Sequence, residues 1–351
     1  MRIELALFII LLCFSCANVV PPSGGKKDLT PPITIKSTPN NYSLFFNSQD
    51  IIIEFDEAIQ ITPSEKATIS PYVNKGLNLK SNKNKLIIDI GSTLEDSTTY
   101  TIYIDNIIKD LNEGNVLEKL RYSFSTGPSL DSLYIEGEIL DAQTQVGVQN
   151  VWVGLYASKF TEGDSLFYNQ KPQYLTKSSA NGSFSFSHLP KKEFEIMAIE
   201  DLDHNMLFSL PQERVAFYSN TVIPNCDNIY LQLFDETLIA KDSINDARKD
   251  TLSNLYGKLI IDSLPLNSVI VELLLDQTVI FQSSSSQPLH IDSLVPASYT
   301  LRVIHDANNN GKWDTGKLIE KRQAEKIEYY SSDIQIRSDW EILIQWNSNA
   351  K

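Results

Sequence analysis

The sequence predicts an all-β chain built as serial β-sandwich domains, and three observations carry that expectation. Short runs of β-branched and aromatic residues recur along it, cut by turns containing Asn, Ser, Lys and Gly. No helix-period stretch of useful length interrupts the first set of runs. A length of 351 residues suggests two or three domains, at about 150 residues each. With 42% hydrophobic and 21% charged residues the composition is globular, which excludes disorder throughout. Lys+Arg total 30 against 44 Asp+Glu, a formal net charge of -14, so no nucleic-acid partner is expected, because neutralising phosphates needs clustered cations. Four histidines and three cysteines leave little material for a transition-metal or nucleophilic site.

Residues 1–15 read as an export signal, with one cation at Arg2 and a continuous apolar run from Leu5 to Phe14. That run is well short of the ~20 residues a spanning helix needs. It ends in Cys13-Phe14-Ser15-Cys16, which resembles the bacterial lipobox; the resemblance implies that Cys16 is diacylated and becomes the membrane anchor. Cys13 stands where a lipobox prefers Leu, and Glu4 weakens the positive end, so ordinary secretory cleavage and an uncleaved anchor stay open as alternatives. Residues 16–32, rich in Pro, Gly and Lys after the cysteine, read as a lipidated tether. The expected location is an outer-membrane lipoprotein, facing either the periplasm or the cell surface. After loss of the leader and lipidation, Cys226 is the one remaining thiol; no intramolecular disulfide is expected, and Cys226 reads as a partly buried filler.

Residues 33–127 form the first expected sandwich, with strands at Ile51 to Phe55, Leu86 to Ile90, Tyr100 to Ile104 and Tyr122 to Ser125. Residues 128–235 form the second. Leu133 to Ile139 and Val151 to Tyr156 precede an Asn181-Gly182 turn, and Phe184 and Phe186 alternate so that both rings face one side of a strand. Phe194 to Ile199 follows Leu189-Pro190. This order resembles the transthyretin-like, or carboxypeptidase-regulatory-like, sandwich, also called prealbumin-like, most specifically in Asn181-Gly182-Ser183-Phe184-Ser185-Phe186. Residues 236–255 are polar and read as a linker with room for a short helix and with hinge freedom. Residues 256–351 supply strands at Leu259 to Ile261, Ser268 to Leu275, Tyr299 to Ile304 and Trp340 to Trp346. Laying Phe194 to Asn205 on Tyr299 to Asn310 aligns an alternating strand and an Asp/Asn turn in each, so the third unit reads as a diverged copy of the second.

Further residues extend the likeness to nearly the whole mature chain. Gly24 to Pro32, Ile53-Glu54-Phe55-Asp56-Glu57, Ser70-Pro71, Thr98 to Ile102, Ile108 to Asn115, Phe124 to Gly127, Asp131-Ser132-Leu133, Arg302 to Asp306 and Asn308 to Gly316 resemble the Ig-like domain-containing lipoproteins of the Bacteroidetes, whose first domain is of the bacterial S-layer-type Ig-like group. The resemblance implies a cell-envelope location and no reaction.

The sharpest candidate site is a calcium loop at Asp306, Asn308, Asn310, Lys312 and Asp314. Oxygen side chains at relative positions one, three, five and nine, with Gly311 at six, match the front of an EF-hand-like loop. Position twelve is Lys317 rather than a bidentate carboxylate, so Glu320 or a backbone carbonyl would have to complete the shell; the rival reading is an Asx-rich turn. The partner loop Asp201-Leu202-Asp203-His204-Asn205 has Met206 in place of the glycine and reads as a weaker site. His188, His204, His290 and His305 are scattered singly. Asp56 and Glu57 sit at adjacent positions that point apart on a strand, so they read as a turn and not as a catalytic pair. No nucleophile elbow or phosphate-cradling glycine loop is present. Trp152, Trp313, Trp340 and Trp346 are candidates for a sugar platform, but Trp340 and Trp346 have the same parity and read as core. No catalytic or cofactor-binding residue is expected, and calcium is the one cofactor worth testing. The expected function is a non-catalytic, lipid-anchored envelope scaffold, with an accessory glycan- or peptide-binding lipoprotein as the alternative. Its expected partners are membrane lipid through Cys16 and an envelope protein or glycan.

Overall fold

The computed structural model describes residues 27–62, 67–157, 165–209, 211–238, 256–264, 269–284 and 288–346. The export signal, Cys16, most of the tether and residues 239–255 of the expected linker lie outside the described residues. The described chain is almost entirely β, with one helical turn, α1 (Leu166–Asn169).

In the first group, one sheet runs in the order β1 (Thr34–Thr38), β2 (Asp50–Phe55), β6 (Lys85–Asp89), β5 (Asn78–Asn82). In the other, the long β7 (Thr99–Asp110) pairs with β3 (Ile59–Ile61), β4 (Thr68–Ser70) and β8 (Val116–Ser125). Alternation builds the core between them. Ile51, Ile53 and Phe55 point inward from β2 and Leu86 and Ile88 from β6, meeting Tyr100, Ile102, Ile104 and Phe124.

The second group contains β9 (Leu133–Asp141), β10 (Trp152–Tyr156), β11 (Tyr174–Lys177), β12 (Ser183–Leu189), β13 (Glu195–Ile199), β14 (Val215–Phe217) and β15 (Cys226–Leu233). Its sheets run β12-β9-β15 and β11-β10-β13-β14. The third contains β16 (Gly257–Ser263), β17 (Val269–Leu275), β18 (Thr278–Ser284), β19 (Leu289–Leu294), β20 (Ala297–His305), β21 (Ile327–Tyr329), β22 (Ile334–Ile336) and β23 (Glu341–Gln345). Its sheets run β19-β16-β23 and β18-β17-β20-β21, with β22 added beside β20. The two strand orders superimpose slot for slot, and in both the first and last strands are parallel neighbours. The internal repeat seen in the sequence is therefore a repeat of topology, with β13 and β20 in the same slot. Phe184 and Phe186 do share the buried face of β12, edge to face at 6.2 Å. The turn before them needs its glycine: Gly182 sits at φ +85°, and a Cβ there would lie 2.4 Å from the Ile139 carbonyl oxygen.

Two expectations fail. Trp346 is buried but Trp340 is 56% exposed, because β23 begins only at Glu341, and Asp339, at φ 58°, turns the chain just before it. Strand parity does not extend through that turn. The hinge freedom inferred from the polar 236–255 stretch is also lost. Phe208, Val215, Phe217 and Phe234 of the second group and Ile270, Ile304, Trp313, Leu318 and Ile327 of the third belong to one continuous buried cluster. Linker composition governs freedom only where the bodies it joins do not touch; here side chains remote from the linker fuse them.

Candidate functional site

The crossover from β13 to β14 and the crossover from β20 to β21 occupy equivalent places and fold alike. In the first, Asp201 accepts the backbone N–H groups of Asn205 (3.1 Å) and Met206 (3.0 Å). In the second, Asp306 accepts those of Asn310 (3.1 Å) and Gly311 (2.8 Å). Asp203 and Asn308 each accept the N–H two residues on, and the Oδ1 atoms of Asn205 and Asn310 accept from Leu207 and Lys312. A glutamate closes each loop from downstream. Glu213 accepts the N–H groups of Leu202 (3.1 Å) and Ser209 (2.9 Å); Glu325 accepts those of Ala307 (2.8 Å) and Asp314 (3.0 Å).

The closing residue of the second loop is thus Glu325, neither Lys317 nor Glu320. Glu320 turns away to pair with Arg322 at 3.2 Å and Lys317 at 3.7 Å. Asp306, Asn308, Asn310, Lys312 and Asp314 do come together in one loop, Lys312 through its backbone N–H. Burial pushes the Glu325 carboxyl up, reinforced by the charges of Asp314 and Asp306. Burial likewise raises Asp201, with Glu213 and Asp203 adding to it, although the Met206 and Asn205 amides oppose the shift.

Both loops present only oxygen acceptors and amides, a donor set suited to a hard cation such as calcium. They differ in how closely their carboxylates gather. In the 306 loop the amide nitrogens of Asn308 (2.5 Å) and Asn310 (2.7 Å) converge on Asp314 Oδ2, supplying the positive side from within. A cation there would need both amides to turn their oxygens inward. In the 201 loop, Asp203 Oδ2 likewise accepts from Asn205 Nδ2 (2.7 Å) and Ser209 Oγ (3.2 Å), but Asp201, Asp203 and Glu213 each bring a carboxylate oxygen within 4.8 Å of the others, so three carboxylates face one small volume. The donor chemistry fits a divalent cation better in this loop, which the sequence ranks lower. The signal missed in the sequence was the glutamate downstream of each Asp/Asn run.

A further carboxylate group forms in the first sandwich. Asp56 accepts the Ile33 N–H at 2.8 Å and pins β1, while Glu57 approaches Asp110 and Glu113. Asp110 is fully buried and accepts the N–H groups of Asn112 and Glu113. Burial opposes its ionisation, but those amides outweigh it and hold its carboxyl below the usual range. Burial raises Glu57, with Asp110 next in effect, whereas its hydrogen bond with Asp110 raises Glu113 ahead of burial. Asp56 and Glu57 thus face different partners, but not through strand alternation, since β2 ends at Phe55 and both lie in the bend after it.

The tryptophans do not make one platform. Trp313 is in the core shared by the second and third sandwiches, its Nε1 donating to the Glu325 carbonyl at 2.9 Å. Trp152 lies under the Lys177 ammonium at 4.7 Å, and the exposed Trp340 carries the Arg337 guanidinium at 5.1 Å. Cys226 is a free thiol, pushed up by burial and by Asp227, which disfavours the reactive thiolate. No helix among the described residues is long and apolar enough to cross a membrane.

Solved structures similar to this chain include fervidolysin from Fervidobacterium pennivorans, a keratinolytic enzyme related to subtilisin, at 13% identity and a TM-score of 0.21 over 56% of this chain and 28% of that one. BcpA, the major pilin subunit of Bacillus cereus, matches at 9% identity and a TM-score of 0.19, over 59% of this chain and 71% of that one. The Bacillus anthracis TIE protein matches at 12% identity and a TM-score of 0.19, over 92% of this chain and 59% of that one. The chain thus spans little more than a quarter of the length of fervidolysin. No curated protein matches the chain. Residues 28–126, which span the whole first sandwich, match the family model of the bacterial Ig-like domain.

Proposed function

We propose that this chain is a non-catalytic, lipid-anchored cell-envelope protein that presents an Ig-like unit followed by a stiff pair of sandwiches from a membrane surface. The observation that carries this reading is the buried cluster spanning the second and third sandwiches, a contact that supports a stiff arm of two domains. The Ig-like match of the first unit and the tether composition before it support the reading. Turnover of any member of a panel of glycosides, peptides and esters by the purified chain would overturn it. The anchor has its own test: cells fed labelled fatty acid are expected to label the wild-type protein and not Cys16→Ser. Equal labelling of the two would remove Cys16 from the proposal. Protease added to intact cells then separates a surface-facing from a periplasmic arm. The dispersed tryptophans give no support to a glycan-binding role.

The second part of the proposal is that the acidic loops take calcium and brace the arm. Phe208 follows one loop and Trp313 lies in the other, and both side chains enter the shared core. That core makes the full chain, and not an isolated third unit, the right specimen. At 100 times its dissociation constant calcium adds about 2.7 kcal/mol of stability, roughly 5–10 °C for a body of ~200 residues. The midpoint is expected to rise with calcium over chelator, and the rise to disappear in Asp201→Ala. Asp306→Ala reports the other loop. An unchanged wild-type midpoint would return both loops to turn chemistry.

A further inference from the structure

The two joints of the arm differ in chemistry. The second and third sandwiches share an apolar core, whereas the buried cores of the first and second are separate sets of residues. Polar groups occupy the first joint instead. Ser70, Thr99, Thr101 and Ser123 are buried on the first sandwich. Across the joint, Tyr72 N–H donates to the Gln173 carbonyl at 2.7 Å, Leu175 N–H to Ser70 Oγ at 3.3 Å, and Asp131 N–H to Thr99 Oγ1 at 2.9 Å.

His188 is set into this joint by a backbone irregularity. The β12–β9 register shifts between Phe186 and Leu189, and His188 takes φ 58° there, a conformation rare outside glycine. Its Nδ1 lies 3.3 Å from Thr101 Oγ1, which in turn lies 3.0 Å from Ser123 Oγ; its ring centroid is 6.0 Å from that of Tyr42. The titratable groups around it are Asp131 from the connecting segment, Tyr42 from the loop before β2, and Tyr103 from β7, which hydrogen-bonds Ser187. Arg121 of β8 lies over the Tyr103 ring at 4.6 Å and is neutralised by Asp105. A neutral imidazole meets the Thr101–Ser123 hydroxyl pair as acceptor or donor without a charge to bury, while an imidazolium, although its Nδ1–H can still donate to Thr101 Oγ1, must be desolvated with its charge.

We propose that His188 makes the joint between the first and second sandwiches acid-labile, the neutral ring docking the two bodies and the protonated ring releasing them. Burial holds His188 below its ordinary value of 6.5, with Asp131 pulling it partly back. The docked ring therefore binds a proton less readily than the undocked one. Docking is at full strength above pH ~6.5 and weakens as the pH falls toward the docked value.

Hydrogen exchange of the full chain tests this, read at the Tyr72 and Leu175 amides that donate across the joint and corrected for intrinsic exchange. Their protection is expected to fall at least about threefold between pH 7.5 and pH 5 in the wild type, with amides of β2 and β17 keeping theirs. His188→Gln, which keeps a neutral acceptor, and His188→Asn are expected to show no such fall. Constant joint protection in the wild type, or the same fall in both variants, would overturn the proposal.

Discussion

Phe234→Ala is expected to cost about 3–5 kcal/mol, the range for removing a fully packed phenylalanine, and to uncouple two domains at once. Phe234 follows β15 and is 2% exposed, edge-on to Phe217 at 6.2 Å. Reciprocal hydrogen bonds with Val215 at 2.9 and 3.0 Å fix its backbone. The third sandwich closes over it through Gly316, where a Cβ would lie 2.5 Å from the ring, so the contact is backbone against aromatic face. Alanine leaves a hole that this backbone cannot fill without moving the whole β20–β21 crossover. Calorimetry should show a single transition for the fused pair in the wild type, and in the variant an earlier transition, lower by roughly 6–20 °C, that divides in two. Tyr230→Ala, at a site 52% exposed, should stay close to wild type. An unchanged midpoint in Phe234→Ala would show that the shared core contributes little.

The second large effect is electrostatic. Glu272 and Arg302 face each other across the β17–β20 ladder, both mostly buried, with Arg302 Nε donating to Glu272 Oε2 at 2.6 Å. Arg302 Nη1 also donates to the Tyr329 hydroxyl, which donates to the Gln143 carbonyl of the second sandwich at 2.9 Å. Arg302→Met leaves Glu272 buried without its counter-charge, a loss of about 3–5 kcal/mol for breaking such a pair. Replacing both, Arg302→Met with Glu272→Leu, removes the orphaned charge and should recover most of it. Urea titrations of the three variants read the difference. A double variant as weak as the single would mean that the hydrogen bonds through Tyr329, and not charge desolvation, carry the contribution.

The strands were legible because their pattern is local. Ile51, Ile53 and Phe55, or Phe184 and Phe186, declare a buried face within a few residues, and the repeat was readable because β13 and β20 keep their turns. The front of each acidic loop was legible for the same reason. Its closing glutamate was not, since Glu213 and Glu325 return from opposite ends of crossovers of different length, which fix no spacing. The Asp110–Glu113 group was hidden similarly, gathered from the β2–β3 and β7–β8 turns by pairing alone. The fused joint was the least visible feature. Phe208, Trp313 and Leu318 lie in stretches that read as polar loops, and an apolar residue in a loop carries no periodicity to say what it packs against.

The parallel pairing of first and last strands bears on tension. In the second sandwich β9 enters and β15 leaves side by side, with Leu231 opposite Ile139 and Leu233 opposite Asp141; in the third, β16 and β23 do the same. A pull on the two ends of either body draws these neighbours in opposite directions along their length. Every rung of the ladder is then loaded together in shear, whereas antiparallel terminal strands joined at one end would peel rung by rung. Two such ladders in series resist extension along the chain, with the rate of forced unfolding set by simultaneous rupture.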